Sequence, residues 1–255
     1  MDQAPYKAIF FDLDGTLLPM EMDAFMQGYY QALDDYVASQ GLDMATFKAG
    51  LHRGVVAMAE HEDEKSNAEV FWEAFFSEAA QDRAVWDRVL NYFYENTFNE
   101  IGNGVLANPC AARSISILQG KGYPLVLATM PMFPLRAVEW RLAWAGVDPR
   151  AFCRITHYEN STSVKPKLSY FAENLQACKL APHEVLMVGN NTKDDLACLS
   201  LGMDAYLITD FLINRNEFDL GAVKHGSFTQ FVSWVEGLLP CSCPATGIET
   251  GLVGR

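Results

Sequence analysis

Hydrophobic and polar positions divide the chain into three textures. Ala8-Ile9-Phe10-Phe11 is a short, unbroken apolar run, the pattern of a strand buried on both faces. From residue 19 to about 105, β-branched residues are few and Ala, Met, Glu and aromatics many. Phe25, Tyr29, Leu33 and Val37 recur at helical spacing, as do Val70, Phe71, Ala74 and Phe75, then Trp86, Leu90, Phe93 and Tyr94. Gly41, the charged stretch 60–66 and the Gln81-Asp82 pair read as breaks. The pattern predicts four or five helices in a small bundle. From Leu106 onward apolar runs alternate with helical patterns. Helices are expected over 109–121 with Gly122 as stop, 135–145 closed by Gly146, 167–178, and 194–201 ended by Gly202. Strands are expected over 124–129, weakly over 152–156, and over 185–188 and 205–208. Such alternation predicts an α/β fold whose parallel sheet has right-handed crossovers and gathers its site at the carboxyl ends of the strands.

Candidate chemistry sits where those strands end. Asp12-Leu13-Asp14-Gly15-Thr16-Leu17-Leu18 follows the first run. Two acids at i and i+2 repel each other and are costly to desolvate, so a cation, a proton or water is expected between them. Gly15 permits a tight turn and a close approach of backbone N–H groups to a ligand. The stretch suits Mg²⁺ and an anion; the plain alternative is an Asx-rich turn. Thr129 ends the 124–129 run, where its hydroxyl can donate to a phosphate oxygen or cap the next helix. Lys165 precedes Pro166, which disfavours helix at Lys165 and leaves it on an extended loop, as a point charge for a phosphate or as a solvated lysine. Gly189-Asn190-Asn191-Thr192-Lys193-Asp194-Asp195 follows the 185–188 run. It offers hard oxygens of the kind Mg²⁺ prefers, or acids that serve a helix dipole.

Composition narrows the partners. Of 255 residues half are hydrophobic, and 32 acidic against 19 basic residues give a net charge of −13. No basic face for nucleic acid or an anionic membrane is visible, and an anionic substrate would need local positive charge in the pocket. Acidic residues far outnumber basic ones between 19 and 105, most simply as solvated helix faces. Met1 to Pro5 carries no leader pattern and no stretch approaches a membrane span. The six cysteines include a Cys241-Ser242-Cys243 pair but no second ligand pair for zinc. Reduced thiols and a cytoplasmic location are the expectation. Oligomeric state is not legible. The Gly-, Pro- and Thr-rich tail, 238–255, is expected to be loosely held.

Asp12-Leu13-Asp14-Gly15-Thr16, a strand ending in Thr129, Lys165-Pro166, and Gly189 to Asp195 resemble, in order, the four motifs of the haloacid dehalogenase-like hydrolases, over residues 8 to about 210. The resemblance implies a Rossmann-like core, 1–18 and 106–237, with residues 19–105 as an inserted helical C1 cap. It implies Mg²⁺ as cofactor, a small phosphorylated substrate, Asp12 as phosphate-accepting nucleophile, ionised at neutral pH, and Asp14 as general acid and base, kept partly protonated by like-charged neighbours. Thr129 and Lys165 would offset charge on the phosphoryl group, with Gly15 and Met130 also at the phosphate. Metal ligands would come from Asp12, Asp14 (through its carbonyl), Asn190, Asp194 and Asp195. Two departures stand out. Asn190 occupies a position that is usually Asp, which leaves more of the charge to Asp194 or Asp195. Met130 stands where an Asn is common. A phosphatase is the leading expectation, since the family's dehalogenases and phosphonate hydrolases carry another residue at the Asp14 position. A phosphosugar mutase and a non-catalytic binding protein are the alternatives. His52, Arg53, His61 and Lys65 are the few cap groups able to meet an anion.

Overall fold

The computed structural model describes residues 4–79 and 82–241. Strand β1 (Ala8–Phe11) leads through the Asp12–Leu18 turn into the helical insert: α1 (Met22–Ser39), α2 (Met44–Glu60), α3 (Asn67–Phe75) and α4 (Arg83–Tyr92). One wide turn, Phe93–Thr97, and a 3₁₀ turn, Phe98–Gly102, complete it. The chain then runs α5 (Pro109–Gly120), β2 (Leu125–Leu127), α6 (Leu135–Trp144), β3 (Arg154–Ile155), α7 (Leu168–Cys178), β4 (Val185–Gly189), β5 (Asp204–Ile208), β6 (Lys224–Gly226) and α8 (Phe228–Gly237).

All six strands are parallel, in the order β3-β2-β1-β4-β5-β6. The sheet is fully buried at its centre because β1 has no polar residue to show to either side. Its alternation sends Ile9 and Phe11 to the face covered by α5, α6 and α8, and Ala8 and Phe10 to the face covered by α7 and the segment after Asp195. The order reverses direction between β1 and β4, so the crevice that a doubly wound sheet leaves at its carboxyl edge opens beside Asp12 and Asn190.

Two elements differ from expectation. Residues 194–201 form a 3₁₀ helix, Leu196–Leu201, after Asp195, because Asp195 is spent on the site and Gly202 (φ +88°) ends the turn at once. Strand β6 and helix α8 had no counterpart in the sequence reading, although the Ser227/Gln230 capping box and the buried positions Phe228, Phe231, Val232 and Val235 carry a helical signature.

The insert has its own core around Phe47, Phe75, Trp86, Phe93 and Phe98. It is tied to the sheet by Asn67, at the start of α3. This side chain is fully buried and donates to the carbonyls of Pro131 (3.0 Å) and Ser163 (3.1 Å), while its amide donates to Ser161 O (2.8 Å). At the far end, residues 238–241 are held rather than loose: the Tyr123 hydroxyl donates to Leu239 O (2.8 Å) and Cys241 N to Lys121 O (2.8 Å). The rest of the tail, with Cys243, lies outside the described residues, as does Gln81. Among the described residues no helix is long and apolar enough to cross a membrane.

Candidate active site

Asp12 extends the β1–β4 ladder by one bond, its amide donating to Val188 O (2.8 Å). The chain then turns tightly: Gly15 N donates to Leu18 O and Leu18 N to Leu13 O, both at 2.8 Å. The Gly15 amide is therefore spent within the turn, and the expectation that it meets a ligand is corrected. Its contribution is space and a positive φ of +75°; a Cβ there would fall 2.2 Å from Asn190 Nδ2.

Five segments converge under this turn. Lys165, buried and followed by a cis Pro166, donates to Asp12 Oδ1 (2.9 Å) and Asp195 Oδ1 (2.6 Å). The other Asp195 oxygen accepts the amides of Asn190 (3.0 Å) and Asn191 (2.9 Å). Asp195 packs so closely on the end of β4 that a Cβ on Gly189 would fall 2.2 Å from its Oδ2. Thr16 Oγ1 lies between Asp12 Oδ2 (3.3 Å) and Asn190 Oδ1 (3.2 Å), and Asn190 Nδ2 is anchored on Phe211 O (2.6 Å). Asp194 lies apart, with Oδ2 accepting from Asn191 Nδ2 (2.8 Å). Thr129 is fully buried, two residues beyond β2, and its hydroxyl has no hydrogen-bond partner. It caps nothing, since α6 begins only at Leu135.

Burial raises the Asp12 carboxyl above its ordinary range, and Lys165 opposes that. Ionisation of Asp12 at neutral pH thus depends on its cation neighbours instead of being intrinsic to the residue. Burial alone would lower the Lys165 ammonium; Asp12 and Asp195 outweigh it and hold the group charged.

The sequence reading missed Arg141. It is 1% exposed and donates through Nη1 to Asp14 Oδ2 (2.5 Å), with its guanidinium carbon 4.7 Å from the Phe133 ring centre. Asp14 therefore meets cations, Arg141 and Lys165, rather than like charges, which corrects the expectation that acidic neighbours keep it protonated. Burial nonetheless raises its carboxyl, with Arg141 and Lys165 pulling the other way. Asp14 Oδ1 and Arg141 Nη2 are buried without partners. A signal was present: Ala137, Val138, Arg141 and Leu142 form the buried stripe of α6, and an arginine within such a stripe demands an acid.

Above Asp14 and Arg141 lies a cavity of about 390 Å³ between the insert and the sheet edge, with Met130 in its wall. His52, Arg53, His61 and Lys65 do not line it. Arg53 is paired with Glu78, Lys65 with Glu73, and His61 with Asp63 and Asn67.

Among the described residues no group of three or more His, Cys, Asp or Glu side chains is arranged to hold a metal. The oxygen donors suit Mg²⁺ in kind nonetheless: Asp12 Oδ2 and Asn190 Oδ1 share Thr16 as a neighbour, and both are hard. Asp195 lies near Asp12 through the shared Lys165 but is committed to that ammonium and two amides, whereas Asn190 Oδ1 is joined to Asp12 only through the Thr16 hydroxyl. Three acids (Asp12, Asp14, Asp195) and two bases (Lys165, Arg141) are buried together, so with all five ionised the site carries one negative charge, which a divalent cation would offset.

The model of the haloacid dehalogenase-like hydrolase family matches residues 6–202, from the start of the sheet to Gly202. The chain belongs to that family. A search of curated proteins finds no match. Among solved structures, this hydrolase is similar to a 2-haloacid dehalogenase from Pseudomonas syringae pv. Tomato DC3000 (18% identity, TM-score 0.59, covering 91% of this chain and 98% of that one). It is also similar to a predicted phosphoglycolate phosphatase from Haemophilus somnus 129pt (18%, 0.56, 91% and 99%) and to CbbY from Rhodobacter sphaeroides in complex with phosphate (19%, 0.55, 89% and 96%). At these identities the likeness speaks for the fold, and since both chemistries occur among the neighbours, the choice between them rests on this hydrolase's own residues.

Proposed function

We propose that this hydrolase cleaves a small phosphomonoester through an aspartyl-phosphate on Asp12. The observation that carries the reading is Asp14, a second carboxyl in the wall of the cavity with one oxygen unpartnered. A halide leaves as a stable anion and needs no proton; an alkoxide leaving phosphorus does. An acid that protonates the leaving group is therefore of use to a phosphatase, whereas a dehalogenase needs at most a base for the later hydrolysis.

Asp12 Oδ attacks phosphorus, and the bond from phosphorus to the alcohol oxygen breaks. Protonated Asp14 gives its proton to that oxygen; as carboxylate it then takes one from the water that attacks the aspartyl-phosphate, releasing inorganic phosphate. The unpartnered Thr129 hydroxyl and the Lys165 ammonium offset charge on the phosphoryl oxygens. Asp12 and Asn190, with the Asp14 carbonyl, would hold Mg²⁺, which when bound neutralises negative charge around the phosphoryl group. Arg141 fixes the orientation of Asp14 through Oδ2 and leaves the unpartnered Oδ1 to carry the proton.

The test is direct. Purified protein with Mg²⁺ is assayed for phosphate release from p-nitrophenyl phosphate and for halide release from 2-chloropropionate. Phosphate release that disappears in a folded Asp12→Asn variant is the expected outcome. Halide release without phosphate release would overturn the reading, and no turnover of either would favour a binding protein.

A further inference from the structure

The cavity above Asp14 differs from the site floor in kind. Its wall is made of methionines and rings, with Met26, Leu33, Val55, Met58, Phe71 and Phe133 among them. Several of the polar groups in it are paired with one another. The hydroxyls of Tyr29 and Tyr94 bond each other (2.8 Å). Arg136 is held by Glu95 (2.9 Å) and Glu139 (3.2 Å) and lies over the Trp140 ring, 4.2 Å from its centre. Glu159 accepts the amide of Leu135 and pairs with His157. Asn91 and Tyr30 are exposed. A sugar entering this space would strip water from several hydroxyls and find few free partners for them beyond Asp14 Oδ1 and Arg141 Nη2 at the floor, an arrangement that costs binding at each hydroxyl left unpaired. An apolar group would gain burial at each carbon.

We infer that the substrate is the phosphomonoester of a bulky apolar alcohol, aromatic or branched aliphatic, whose hydrocarbon part fills this cavity while its phosphate rests on Asp12, Thr129 and Lys165. The inference rests on the phosphatase reading and adds the class of leaving group. Size agrees: 390 Å³ is roughly two to three times the volume of an apolar cavity that takes up one benzene, about 150 Å³. The five methionines in the wall, with three rotatable bonds each, adapt to irregular hydrocarbon shapes. The same wall argues against the phosphosugar mutase alternative, which needs hydroxyl-binding groups where this cavity has hydrocarbon.

The experiment uses primary alkyl phosphates, so that leaving-group basicity stays nearly constant: 2-(1-naphthyl)ethyl phosphate, glucose 6-phosphate and glycerol 1-phosphate, each with Mg²⁺. A kcat/KM at least about a hundredfold higher for the naphthyl ester is expected, since even one methylene in an apolar pocket discriminates by about 10–200-fold. Val55→Trp and Met26→Trp, on two different helices, each fill part of the cavity. The naphthyl preference should fall at least tenfold in whichever of them folds by circular dichroism. Equal or better turnover of the sugar phosphate by the wild type would overturn the inference while leaving a phosphatase in place. The non-hydrolysable 2-(1-naphthyl)ethylphosphonate supplies a readout without turnover. It should raise the melting temperature of the wild-type protein more than methylphosphonate does, and no difference between them would overturn the inference. If the naphthyl phosphonate binds and no phosphomonoester is hydrolysed, the phosphatase reading fails and the apolar specificity of the cavity stands.

Discussion

Around Asp12, side chains from five separate stretches of chain meet as buried charges and amides. Across the cavity, α1, α2 and α3 present methionines and aromatic rings to the same space. In the floor, each charged side chain has an oppositely charged partner at hydrogen-bond distance, and losing one partner strands the other in a medium where an unpaired charge is costly. In the wall, cohesion comes from non-directional burial, which tolerates exchange of shape as long as volume and polarity are kept. The paired charges of the floor therefore tolerate little change, and on the proposed function the leaving-group preference can drift with the wall.

The sharpest test is Asp14→Asn. It should lower turnover of an alkyl phosphate by about 10²–10⁴-fold, and much less for p-nitrophenyl phosphate, whose leaving group needs little protonation. Equal losses on both substrates would place Asp14 outside proton transfer. Next comes Arg141→Met, which keeps bulk but leaves Asp14 buried alone. Urea unfolding should show a loss of about 3–5 kcal/mol, and adding Asp14→Leu to it should recover most of that. A cost that the second substitution leaves unchanged would mean that Arg141 acts by packing, through the Phe133 ring, rather than by charge. The matching change in the wall is Leu33→Met, where unfolding should show less than about 1.5 kcal/mol. A cost as large as that of Arg141→Met would erase the distinction between the two regions. The smallest effect is expected for Asn190→Asp. It adds a charge beside Asp12 and should lower the Mg²⁺ concentration for half-maximal turnover severalfold. An unchanged midpoint would move Asn190 away from the metal.

Much of this was legible in the chain. The strand ahead of Asp12, the helical texture of the insert, and the placement of Thr129, Lys165 and Gly189 to Asp195 after strands follow from periodicity and from glycine and proline punctuation, which act over a few residues. Five strands of the sheet and the helices α5, α6 and α7 were legible for the same reason; α8 was not read, nor was β6, a three-residue edge strand of Lys, His and Gly with no apolar signature.

What the sequence by itself determined is therefore local: which segments become strands and helices, and that acids, an amide and a lysine lie at strand ends. Tertiary structure decided the pairings. Lys165 bridges Asp12 and Asp195 across 153 and 30 positions of chain, and Arg141 finds Asp14 across 127. Such separations leave no periodic trace. The approach of Asn190 to the Thr16 hydroxyl beside Asp12 depends on the space left at Gly15. The cavity wall was visible only as a set of core-like residues, because a helix pattern marks which face is apolar but not whether that face closes on itself or stands open over a site.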